Sequence, residues 1–180
     1  NRGMVFESRN PATGETVRTW PLATPEGTAV AMERAHRAQL AWRETPLAGR
    51  SGRMREVARL LRAEAPALGR LMAGEMGKPV TQGRGEAEKC AWVSEYYADH
   101  AERFLAPEPV ATDASRSLVA YEPLGTILAI MPWNFPFWQV FRFAAPALMA
   151  GGAAILKHAP NVPGCALAIE DLFRRAGFPE

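Results

Sequence analysis

Four side chains have types and positions that could do chemistry: Asn134, Arg142, Lys157 and His158, joined by two cysteines, Cys90 and Cys165. In parallel α/β sheets ligands settle outside the carboxyl ends of strands. The two apolar runs that read as strands end at Met131-Pro132-Trp133-Asn134 and at Lys157-His158-Ala159. A neutral carboxamide at such a mouth can donate a hydrogen bond without titrating. The competing reading is an N-cap, since asparagine is favoured where a helix begins. Arg142 stands among Val140, Phe141, Phe143 and Ala144, a costly setting unless something anionic meets the guanidinium, be it a ligand or an internal Asp or Glu. The two cysteines read as small buried side chains, Cys165 at most mildly activated by a helix N-terminus.

The elements that must position these groups follow from local signals. Met4 to Arg9 and Thr16 to Trp20 read as a hairpin around the turn chemistry of Asn10-Pro11-Ala12-Thr13-Gly14-Glu15. Thr24-Pro25 starts a helix to about Trp42, broken by Pro46 to Gly49. From Ser51, Met54, Val57, Leu60, Leu61, Leu68, Leu71 and Met72 recur every three or four residues, one buried stripe with a bend expected at Pro66. Gly77-Lys78-Pro79 separates it from a third helix, about Thr81 to Phe104, with Trp92, Tyr96 and Tyr97 available to pack. Ala106 to Pro109 marks a boundary and Ser117 to Tyr121 reads as a strand. Then Gly125 to Met131, Phe137 to Ala150 and Ala153 to Lys157 give strand, helix, strand, the pattern of a βαβ unit in a parallel sheet. Val162 to Ala176 adds a helix closed by Gly177. Two parallel strands alone would leave an edge open, so the fold reads as α/β and unfinished.

Composition narrows the function classes. Of 180 residues 48% are hydrophobic and 22% charged, and 21 Lys+Arg against 19 Asp+Glu leave a formal charge of +2. With basic residues interspersed among acidic ones, neither a nucleic-acid groove nor a membrane patch is expected. Two distant cysteines and no signal-peptide pattern indicate a reducing, cytoplasmic context with no structural disulfide and no metal cluster. Neither strand-to-helix turn carries Gly-x-Gly-x-x-Gly or a Walker loop, so residue pattern alone gives a ligand site of unknown kind.

The run Pro132-Trp133-Asn134-Phe135-Pro136, with Lys157 at the next strand end, Asn10 to Glu15, and Glu75-x-Gly77-Lys78-Pro79, resembles the aldehyde dehydrogenase superfamily over essentially the whole chain. Leu156 to Pro163 is most similar to the succinate-semialdehyde dehydrogenases. The resemblance implies an aldehyde dehydrogenase-like, Rossmann-type parallel sheet, present here as its N-terminal part. Residues 1–108 would be the hairpin and helices of the cofactor-binding domain, 109–122 part of an oligomerisation arm, and 123–180 the start of the NAD(P)-binding βαβα.

It also implies a mechanism in which a cysteine thiolate attacks the aldehyde, the thiohemiacetal oxyanion gives hydride to NAD or NADP, and a glutamate-activated water hydrolyses the thioester. Asn134 matches the oxyanion donor. Met131, Pro132, Trp133, Asn134, Lys157, His158, Ala159 and Pro160 match the cofactor site, Lys157 at the adenosine ribose. Pro160 stands where many NAD-preferring members place a glutamate, so a 2′-phosphate would not be repelled. For His158 the choice lies between that phosphate and an exposed loop. Phe135, Trp138, Gln139 and Arg142, at helical spacing, would line the substrate tunnel on one face of the helix that leaves Asn134. Arg142 matches the arginine that holds a semialdehyde's distal carboxylate, its helix kinked near Pro146. The nucleophilic cysteine and general-base glutamate would fall beyond Glu180, so these residues alone are expected to be inactive. The substrate would be a small semialdehyde, and the complete enzyme a homo-oligomer.

Overall fold

The computed structural model describes residues 5–179. Met4, expected to open the first strand, lies outside them, as does Glu180. Strands β1 (Val5–Arg9) and β2 (Thr16–Pro21) form the antiparallel hairpin. The Asn10 side chain accepts from the Ala12 amide at 2.9 Å and its carbonyl from the Gly14 amide at 2.8 Å, which closes the turn.

Three long helices follow. Helix α1 (Pro25–Arg43) begins as its sequence requires, with the Thr24 hydroxyl accepting from the Gly27 amide at 3.0 Å and Pro25 in the first turn, where its missing N–H costs nothing. The break that follows is shorter than Pro46 to Gly49. Pro46 is the last residue before α2 (Leu47–Met76), so its fixed φ starts the next helix instead of merely ending the last. Helix α2 runs through Pro66 as one element.

Helix α3 (Val80–Leu105) folds back along α2. Their crossing is built on two glycines: a Cβ on Gly69 would sit 2.8 Å from the Val80 carbonyl oxygen, and one on Gly83 2.9 Å from the Gly69 Cα. Backbone cannot yield as a flexible side chain does. Gly83→Ala should therefore cost about 1–3 kcal/mol of overpacking, more than the roughly 1 kcal/mol of helix propensity it gains. Gly85, on the same helix with nothing within 4 Å of a Cβ, is the control: Gly85→Ala should raise the melting temperature of the whole enzyme where Gly83→Ala lowers it. Equal shifts would mean the crossing is not backbone-limited. Trp92 does not pack inward; it stays 55% exposed beside Tyr96.

The expected boundary at Ala106 to Pro109 contains a strand. Glu108–Pro109 (β3) pairs antiparallel with Leu118–Val119 (β4), the paired core of the longer strand expected over Ser117 to Tyr121. Beyond it come β5 (Thr126–Ile130), α4 (Trp138–Met149), β6 (Ala153–Lys157) and α5 (Pro163–Arg175). Strands β5 and β6 are parallel, in register from Thr126 opposite Ala153 to Ile130 opposite Lys157. The fold is α/β, as expected, with the helices dominant. No helix among the described residues is long and apolar enough to cross a membrane.

Helix α4 holds the core together. Phe137, Val140, Phe141, Ala144, Ala145 and Met149 are buried against α2, α3 and α5, and Phe141 stacks on Phe173 with ring centroids 5.3 Å apart. Its last carbonyls, and one just beyond it, are met from elsewhere: Trp42 Nε1 donates to Leu148 at 2.8 Å, Arg50 Nη1 to Met149 at 2.6 Å, and Gln39 Nε2 to Gly151 past the helix end at 3.1 Å. A cation at a helix C-terminus also meets the negative end of its dipole.

Candidate functional site

The ends of β5 and β6 lie side by side, as the parallel register demands: the Met131 amide donates to the Lys157 carbonyl at 3.1 Å. This brings Pro132 to Asn134 beside Lys157 to Pro160. Pro132, Trp133, Asn134, Lys157 and Pro160 are exposed, whereas Met131, His158 and Ala159 are half-buried.

Asn134 is not the N-cap of α4. The helix begins at Trp138, and its first free amides, on Phe137 and Trp138, both donate to Oε1 of Glu86 at 2.9 Å. A buried carboxylate on α3 thus does the work that sequence reasoning offered to Asn134, and the Asn134 side chain is left exposed at the strand mouth. The other Glu86 oxygen is paired with Lys78, both side chains almost fully buried. Lys78 Nζ also donates to the Asn134 carbonyl at 3.1 Å and lies 3.8 Å from the Phe135 ring centroid.

The neighbouring helix α5 is started in the same way. The Glu75 carboxylate accepts from the Gly164 amide at 2.8 Å and from the Cys165 amide at 2.9 Å. A Cβ on Gly164 would lie 2.7 Å from Glu75 Oε1, so only glycine leaves room for the carboxylate. Gly77, between the two charged residues, turns the chain at φ +73°, a left-handed conformation that ends α2 and points Lys78 toward Asn134. Glu75, Lys78 and Glu86 were not singled out as site residues from sequence. The available signal was an acid on each buried stripe, Glu75 between Met72 and Met76 and Glu86 beside Gly83, Ala87 and Cys90.

Phe135 precedes α4, its carbonyl accepting from the Gln139 amide at 3.0 Å. Trp138 and Gln139 are half-buried, and Lys89 Nζ stands 3.9 Å from the Trp138 ring centroid. Arg142 is exposed. Its sequence neighbours Val140, Phe141 and Ala144 point into the core on the far side of the helix, so it bears no burial cost. No internal salt bridge claims it among the described residues. Helix α4 continues through Pro146 to Met149.

His158 is neither an exposed loop residue nor free to meet a phosphate. Its Nδ1 accepts from the Ala159 amide at 2.8 Å and its Nε2 faces the Pro136 carbonyl at 2.9 Å. A donor on one side and an acceptor on the other define the neutral ring protonated at Nε2. Burial lowers the pKa from the usual 6.5, only partly opposed by the Pro136 bond. The unfolded chain then binds the proton more readily than the native one. This contribution to stability is complete above pH 6.5 and is lost as the pH falls below that through the lowered native value. In thermal melts His158→Gln should reduce the loss of stability between neutral and mildly acidic pH; an unaltered pH dependence would show that His158 titrates alike folded and unfolded.

Neither cysteine is poised as a nucleophile. Burial and the nearby Glu86 push the Cys90 thiol well up; burial and Glu75 do the same to Cys165, against the mild activation expected at a helix start. A mostly apolar cavity of about 410 Å³, bounded by Ala35, Trp42, Ala144, Ile155 and Phe173, contains none of the candidate residues.

Comparison with known proteins places this geometry. The family model described as "Aldehyde dehydrogenase family" matches residues 1–180. A probable succinate-semialdehyde dehydrogenase (NADP+) from Synechocystis sp. is 51% identical over 177 residues, 98% of this chain and 39% of that protein. The crystal structure of succinic semialdehyde dehydrogenase from Streptococcus pyogenes in complex with NADP+ superposes with a TM-score of 0.91 at 36% identity, covering 96% of this chain and 38% of that one. A betaine aldehyde dehydrogenase from Staphylococcus aureus gives the same TM-score at 25% identity, over 98% of this chain and 37% of that one. Over this portion the backbone is therefore common to proteins named as succinic semialdehyde and betaine aldehyde dehydrogenases. The chain spans about 39% of the length of the curated relatives it matches.

Proposed function

The chain belongs to the aldehyde dehydrogenase family, and from that premise we propose that it is the amino-terminal portion of an enzyme that oxidises succinic semialdehyde, or a close acidic semialdehyde, to the dicarboxylate with NADP+. The observation that carries this reading is Arg142: an exposed guanidinium with no internal carboxylate among the described residues, on the helix that Asn134 leads into. An anionic group on the substrate gives it a partner in bidentate geometry.

The residues fit the cofactor. Lys157 ends β6 exposed beside Pro160, and the segment from Lys157 to Pro163 contains no acid that would repel a 2′-phosphate. The α5 amides of Gly164 and Cys165 are already taken by Glu75, so Lys157 is the group left to meet the ribose and its phosphate. The cofactor, once held there, would supply the hydride acceptor. The Asn134 carboxamide donates to the substrate oxygen as it gains negative charge, and Arg142 holds the far carboxylate so that the carbonyl stays at the strand mouth. Both thiols here are buried and pushed up, so neither is assigned as the nucleophile of the family's reaction, and residues 1–180 alone are expected to be inactive. Residues 1–108 and 123–180 belong to the cofactor-binding domain, and 109–122 to an arm through which the cytoplasmic enzyme self-associates.

The test is kinetic and uses the full-length enzyme. With saturating NADP+, kcat/KM for succinic semialdehyde should exceed that for butanal by about tenfold or more, the worth of a charge-assisted pair, and NADP+ should outperform NAD+. Equal kcat/KM for the two aldehydes would overturn the acidic-substrate reading.

A further inference from the structure

We propose that the buried Lys78–Glu86 pair is a positioning device for Asn134. The inference rests on the reading of Asn134 as oxyanion donor and adds two almost fully buried residues.

The geometry is specific to the short segment that carries the donor. On its N-terminal side the Lys78 ammonium holds the Asn134 carbonyl at 3.1 Å; on its C-terminal side Glu86 Oε1 holds the Phe137 and Trp138 amides, each at 2.9 Å. The remaining Glu86 oxygen closes the circuit on Lys78. Between the two clamps Phe135 lies under the ammonium, its ring centroid 3.8 Å away. Apart from the ion pair itself, every one of these contacts is to backbone or to Phe135, and none uses the Asn134 carboxamide. The peptide on which the donor sits is fixed while its side chain stays free.

Energetics point the same way. An ion pair this deeply buried, Lys78 at 7% and Glu86 at 5% exposure, gains little over a well-packed apolar pair, because desolvation offsets the attraction. Its evident yield is orientation, and oxyanion stabilisation depends on donors already aimed at the charge before it develops.

The test is a double-mutant cycle on kcat in the full-length enzyme with Lys78→Met, Asn134→Ala and the double variant. If the pair acts through Asn134, Lys78→Met lowers kcat by about tenfold or more, as expected of a donor moved out of line, leaves KM for NADP+ unchanged, and causes no further fall in the Asn134→Ala background. A structural role alone would lower kcat by the same factor in both backgrounds, and that result, or an unchanged kcat in the single variant, overturns the proposal. If Asn134→Ala itself leaves kcat unchanged, the oxyanion reading fails first and the proposal with it. Should Lys78→Met not fold, Lys78→Arg keeps the charge but displaces the donors, and the same cycle with that variant separates positioning from a structural role by the same comparison of backgrounds.

Discussion

Replacing Asn134 with alanine in the full-length enzyme should lower kcat by about 10²–10³-fold, the usual consequence of removing one oxyanion donor, while the melting temperature changes little. The two readouts together separate the two roles open to this residue. A capping asparagine would lose roughly 1 kcal/mol of stability on truncation and leave turnover intact. The amides it could have capped are held by Glu86, and the side chain is exposed, so the folded state loses nothing it was using. A fall in stability with unaltered kcat would return Asn134 to a structural role.

The second large effect is on Arg142. Arg142→Leu should lower kcat/KM for succinic semialdehyde by about 10- to 100-fold, taking about 1.5–3 kcal/mol for hydrogen bonds to a charged group. The loss should fall chiefly on KM, because the carboxylate is held alike in ground and transition states. Butanal has nothing for the guanidinium to hold and should be used as before. Arg142→Lys keeps the charge but loses the planar fork, so it should fall between the two. Equal losses for both aldehydes would remove Arg142 from the carboxylate site and point to a general disturbance of α4.

The strand-end residues could be read from sequence because the signals that build their surroundings are local. Thr24-Pro25 starts α1 through a hydroxyl and a ring whose effects reach only one turn. Ala153 to Lys157 is an apolar run preceded by glycines, and it forms a strand with those same bounds. What could not be read is where distant chain supplies a local need. The amides at Phe137 and Trp138 are satisfied from Glu86, 51 and 52 residues away, and those at Gly164 and Cys165 from Glu75, 89 and 90 residues away. No propensity rule sees such a partner; only the folding of α2 against α3 brings it there. The same blindness misjudged Arg142 and His158. Arg142 has apolar neighbours in sequence that lie across the helix in space, and His158 finds Pro136 only because two strands are in register.

The remote origin of these caps bears on how the enzyme can be recombined. A chimera of two relatives cut in the segment between α3 and β5 looks clean, since that stretch, apart from the short β3–β4 pair, is irregular and mostly exposed. Yet such a cut parts both strand mouths from the acids that start α4 and α5. The heritable block is discontinuous: Glu75 to Glu86 on one side and Asn134 to Cys165 on the other have to come from the same parent. A library that keeps them together should yield folded hybrids more often than one that separates them, even where the parents carry the same acids, because the pitch of the α2–α3 crossing at Gly69 and Gly83 determines where those carboxylates arrive.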